Sequence, residues 1–236
     1  MRKIILLLTC LFSAFGIQAQ DLNGAWQRDH TSKDGDKLKS VVIISDGYQV
    51  ISTYNSTTGE FIGTNGGTLN LTDDIVTEKV EFDSKYPERV GIEESFKVSI
   101  KDSLLGIIGT DIKYIKLDNG SPGKLQGAWL MSGRTKDGES QSRDTSGPRK
   151  TMKILSGTRF QWIAYNTETK QFMGTGGGTY TTSNGEYTEN IEFFSKDNTK
   201  VGKSLTFNYN LSNGDWQHSG LSSKGDPINE TWSIRE

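Results

Sequence analysis

Few residues in this chain have the type and spacing to do chemistry, and the most suggestive lie in its second half. His218 stands between Trp216 and Gly220, in step with the inward-facing residues of an alternating run. Strand alternation sends it inward beside Trp162, Trp216, Glu189 and Glu230, where an imidazole is either a polar anchor for a ligand or a hydrogen-bonded packing residue. Glu189 alternates with Ile191 and Phe193, and Glu78 with Val80 and Phe82, so both carboxyls are expected to point inward. A carboxyl so placed must be paired, hydrated, protonated or bound to a ligand. The candidate partner for Glu189 is an inward Arg, Lys or Tyr, such as Arg149 or Tyr209, whereas Glu81 and Glu192 fall on the opposite face and read as solvated. The candidate ligand-binding set is Trp162, Tyr165, Tyr180, Glu189, Tyr209, Trp216, His218 and Glu230.

Catalysis finds little support in the same residues. Asp215, His218 and Ser219 are too close along one strand to form a triad, and Ser219 faces away from His218. Glu189 with Glu230 would make a glycosidase pair only at the right separation. Gly63-Thr-Asn-Gly66-Gly67 and Gly174-Thr-Gly176-Gly177-Gly178 lack the Lys-Ser/Thr of a phosphate loop, and no helix follows them. Glycines inside a strand serve instead for a bulge, or for an aromatic ring lying across the backbone. No catalytic residue, metal site or cofactor is therefore assigned. Haem on a single axial histidine, His218, is the alternative.

The 236 residues carry a formal charge of −2 and a pI near 5.8, which leaves no broad basic surface to draw nucleic acid. Arg2 and Lys3, the apolar run Ile4 to Phe15 and the small-residue end at Ala19 read as an export signal cut after Ala19. A competing reading takes Leu7-Leu8-Thr9-Cys10 as a lipoprotein cleavage box. Cys10 is the one cysteine, so the exported chain has neither disulfide nor thiolate. Nothing downstream approaches the ~20 apolar residues of a membrane helix. The expected location is the periplasm or outside the cell.

The elements that must position these residues emerge from an internal repeat. Gly24-Ala-Trp26 recurs as Gly127-Ala-Trp129, YNSTTGEF from Tyr54 as YNTETKQF from Tyr165, GTNGGT from Gly63 as GTGGGT from Gly174, and EKVEF from Glu78 as ENIEF from Glu189. The offset grows because the second copy carries extra residues near 139–149, expected in a loop. Residues 1–19 are thus a leader, 20–118 one unit, 119–124 a linker and 125–236 a second unit. Within each copy the periodicity is two. In KSLTFNYNL (203–211), Leu205, Phe207, Tyr209 and Leu211 share one face. Asn184-Gly185 and Asn213-Gly214 mark tight hairpins. The second copy reads as strands near 125–134, 150–156, 159–166, 171–183, 186–194, 203–211, 214–222 and 228–235, and the first as eight in the same order. The fold class is all-β, as two tandem eight-stranded antiparallel up-and-down barrels, since closure removes exposed edges. A sandwich is the alternative.

Gly-x-Trp on the first strand of an eight-stranded barrel, with an aromatic and a basic residue on the last strand (Tyr114 and Lys116; Trp232 and Arg235), resembles the lipocalin or calycin pattern. More closely, it resembles the small lipocalin-like domains of unknown function in secreted bacterial proteins. The resemblance implies that Trp26 and Trp129 close the barrel bottoms against Lys116 and Arg235. The functional expectation is capture, without catalysis, of a small hydrophobic or amphipathic molecule, with the second barrel the binder. The alternatives are a protein- or glycan-interaction module with side-chain-filled barrels, and a barrel enzyme such as an isomerase or hydrolase.

Overall fold

The computed structural model describes residues 22–120 and 123–236. The leader, and residues 121–122 of the linker, lie outside the described residues. Eight strands form the first closed barrel: β1 (Gly24–Thr31), β2 (Lys37–Ser45), β3 (Tyr48–Asn55), β4 (Phe61–Thr72), β5 (Ile75–Asp83), β6 (Glu93–Lys101), β7 (Leu104–Ile107) and β8 (Lys113–Asp118). Each pairs antiparallel with the next, and β8 returns to β1.

The second barrel repeats this order with β9 (Gly127–Lys136), β11 (Arg149–Leu155), β12 (Arg159–Asn166), β13 (Gln171–Ser183), β14 (Glu186–Phe194), β15 (Ser204–Ser212), β16 (Asp215–Leu221) and β17 (Pro227–Ile234), closed by β17 on β9. One element departs from the sequence expectation. Part of the extra segment, expected as a loop, is β10 (Glu139–Ser142), a hairpin partner of β9 outside the barrel circuit. Its turn is Asp137-Gly138, with both residues at positive φ, which this tight hairpin requires.

The glycine clusters bend the wall. The register slips at Gly66/Gly67 in β4 and at Gly177/Gly178 in β13. A Cβ on Gly67 would lie 1.9 Å from the Lys79 carbonyl oxygen, and one on Gly178 2.0 Å from that of Asn190. The Phe82 and Phe193 rings cover Gly66 and Gly177. These glycines are a curvature device and not a phosphate cradle.

The barrels are not beads on a string. A core cluster joins their outer faces, with Val41, Ile43 and Val50 of the first against Leu130, Met152 and Ile163 of the second. The contact is nearly two-fold symmetric within one chain. Tyr54 donates to Glu192 (2.5 Å) and Tyr165 donates to Glu81 (2.6 Å). Phe193 stacks on Tyr54 at 4.9 Å, Phe82 meets Tyr165 at 4.8 Å, and the repeat-equivalent Phe61 and Phe172 face each other at 6.0 Å. Glu81 and Glu192, expected to be solvated, are instead interface carboxyls, bound by Arg235 (2.6 Å) and Arg159 (2.7 Å).

The linker is clamped as well. Asp118, at the end of β8, accepts hydrogen bonds from Ser156 Oγ, Gly157 N, Thr158 N and Thr158 Oγ1 of the second barrel. Burial works to raise its pKa, but these bonds outweigh burial and hold it low.

Candidate functional site

Repeat-equivalent positions build two very different interiors. In the second barrel, Glu189 comes from β14 and Lys153 from β11, and Lys153 Nζ lies 2.7 Å from Glu189 Oε1 with both side chains buried. Tyr187 donates to the same oxygen at 2.9 Å. The ammonium is caged by four rings, Tyr187, Trp216, Trp232 and Phe207, at 5.0, 5.1, 5.3 and 5.7 Å. Cation–π attraction and the carboxylate together offset the cost of burying this charge. The partners are a lysine and a tyrosine, two of the expected residue types, but they are Lys153 and Tyr187 and not Arg149 or Tyr209.

Four of the eight candidate ligand residues line the remaining space, a pocket of about 210 Å³: Trp162, Glu189, His218 and Glu230. The other four stand elsewhere. Trp216 is fully buried in the core beside Trp129. The Tyr180 hydroxyl donates to the Ser156 carbonyl at 2.6 Å. Tyr209 packs against the edge of the same core cluster. Tyr165 lies on the outer face, in the contact between barrels. It shares a strand face with Ile163 and not with Trp162, and since residues on both faces of β12 are buried, burial alone does not tell barrel interior from barrel contact.

His218 points inward as expected. Its Nδ1 meets Glu230 Oε2 at 3.2 Å, its ring lies 4.3 Å from Phe207, and Nε2 has no partner. Burial, and then the Lys153 charge, press its pKa below the ordinary histidine value, so the ring is neutral at pH 7. For Glu230, burial is outweighed by the His218 hydrogen bond and the Lys153 charge, and its pKa falls. The Trp232 indole also donates to Glu230 at 3.1 Å. This polar set is largely satisfied from within.

The first barrel keeps the carboxyl and loses the ammonium and half of the ring cage. Glu78 occupies the Glu189 position, opposite Leu69 as Glu189 is opposite Tyr180. Val42 occupies the Lys153 position, between Trp26 and Ile51 as Lys153 lies between Trp129 and Trp162. The cage rings Tyr187, Phe207, Trp216 and Trp232 become Val76, Phe96, Leu105 and Tyr114. Three of the four are smaller than their counterparts, and the barrel keeps a cavity of about 370 Å³ with a mostly apolar lining. Glu78 is 5% exposed, and its Oε1 has no hydrogen-bond partner. Burial raises its pKa, with Gln49 and the Arg89 charge opposing.

A second, more polar chamber of about 300 Å³ shares Ile51, Asn65 and Arg89 with this cavity. Arg89 is fully engaged there, on Asp83 at 2.6 Å and bidentate on Glu94 at 2.6 and 3.1 Å. The barrel bottoms follow the Gly-x-Trp expectation in part. Trp26 donates to Leu22 O and Trp129 to Leu125 O, and Lys116 lies 4.9 Å over Trp26. Arg235 does not cover Trp129 but crosses to the first barrel, over the Tyr48 ring at 4.2 Å.

Fold and interior together define a double β-barrel protein whose first barrel holds the larger cavity and whose second holds an internal ion pair beside a smaller one. Residues 124–234 match the model of a family described as a domain of unknown function, DUF4488. No curated protein matches the chain. Among solved structures, the chain is similar to the Cpx pathway activator NlpE from Escherichia coli, at 10% identity, over 90% of this chain and 94% of that one, with a TM-score of 0.24. A superposition that loose carries no argument about site or function.

Proposed function

We propose that this is an exported binding protein in which the first barrel captures a small, largely apolar molecule without transforming it. The observation that carries this reading is the cavity of about 370 Å³ between Val42, Phe96, Leu105 and Tyr114, within the size range of small-molecule sites. The leader features of residues 1–19 support export. The first barrel is the better candidate because its cavity is the larger of the two interiors, about 370 against about 210 Å³, and because Lys153 already pairs with Glu189 in the second. That internal ion pair favours, for the second half, the role of a rigid partner holding the first barrel.

The test is uptake of a polarity-sensitive fluorescent probe by the full chain and by Leu105→Trp, which installs the residue found at the equivalent position of the second barrel. Bright, saturable uptake that Leu105→Trp abolishes supports the reading. Equal uptake by both proteins sinks it, because the probe would then lie outside the cavity.

A further inference from the structure

We propose that the first barrel is a receptor for a primary alkyl amine, a ligand that supplies the ammonium and hydrocarbon stem which Lys153 supplies within the second barrel. The inference rests on the capture reading above and specifies its ligand. Its warrant is the internal repeat, which shows the same site occupied and vacated within one molecule. In the second barrel the inward glutamate is met by an ammonium on a four-carbon stem. In the first, that stem is cut back to Val42 while Glu78 remains. Phe96 and Tyr114 keep aromatic rings at two of the four cage positions.

The lone carboxyl selects the head group. Nothing among the described residues neutralises Glu78 by contact: the Arg89 guanidinium donates to Asp83 and Glu94, and the two other acidic groups nearby are those same carboxyls. Glu78 Oε1 is buried and without a partner. An unpaired buried acceptor carries a desolvation penalty that a charge-assisted donor removes. A carboxylate ligand would instead set two like groups together. The apolar wall of Val42, Val76, Val98 and Leu105 selects the tail, which binds by leaving water.

The experiment titrates the full chain at pH 7 with three probes of one tail length, octylamine, octanol and octanoate, by calorimetry. The expected order is octylamine tightest, by roughly tenfold or more over octanol, and octanoate weakest. Glu78→Gln should bind octylamine and octanol alike, since it keeps the tail site and loses the charge. Val42→Lys should bind none of the three, because its own side chain fills the site as Lys153 does. If octanol or octanoate equals octylamine on the native chain, the amine assignment is overturned while apolar capture stands. If none of the three binds, the amine assignment falls, and probe uptake that still responds to Leu105→Trp shows that capture survives it. The comparison of head groups on the native chain needs no variant to fold.

Discussion

Replacing Lys153 by methionine keeps an unbranched side chain in the ring cage and removes its charge, leaving Glu189 buried with only the Tyr187 hydroxyl as donor. Glu189 then loses its charged partner inside a ring-lined interior, and breaking a buried ion pair from one side in this way should cost ~3–5 kcal/mol. Urea unfolding followed by tryptophan fluorescence reads this well, since four of the five tryptophans lie in the second barrel. Lys153→Met with Glu189→Leu should recover most of the loss, because no charge is then buried. A double variant no better than the single one would refute the orphaned-charge argument and leave cage packing as the cause.

Other expectations follow from the two-fold contact and from His218. Tyr54→Phe and Tyr165→Phe each remove a hydroxyl from an interface carboxyl that keeps an arginine, so each should cost ~1–2 kcal/mol in urea unfolding, with Tyr165→Phe the costlier because its hydroxyl also accepts from Arg235 at 3.0 Å. His218→Ile should cost about 1–2 kcal/mol at pH 7 and leave probe uptake unchanged, because the open cavity lies in the other barrel. His218 is held neutral in the fold, so the unfolded chain binds more protons below about pH 6.5, and the native protein should lose stability as pH falls through that value. The variant should lack that component; identical slopes would show that His218 does not govern it. Residues 124–236 produced alone expose Leu130, Met152, Ile163 and Phe172, so size-exclusion chromatography should find them self-associated, and a stable monomer would show that this face needs no cover.

Strand content and repeat were legible in the residues. Repeated Gly-Ala-Trp, glycine-bearing hairpins and period-two alternation specify two sets of eight antiparallel strands, because each pattern acts locally on backbone conformation or on one strand face, whereas closure of each set into a barrel, with a sandwich as the alternative, rests on the pairing of its first and last strands. The inward aim of Glu78, Glu189 and His218 was legible for the same reason. Alternation separates two faces of a strand but does not say what lies against each. Met152 and Lys153 are adjacent residues of β11, both buried, one in the contact between barrels and the other in the ring cage. The run Val41-Val42-Ile43-Ile44 carried the corresponding signal for β2, since four successive apolar residues mark a strand buried on both sides. Three-dimensional packing alone brings Tyr165, Glu81 and Glu192 into the contact between barrels, sets Lys153 on Glu189, and leaves the larger cavity in the first barrel. A cavity is what remains after side chains from eight strands have packed, so its volume is a property of their joint geometry and of no single residue.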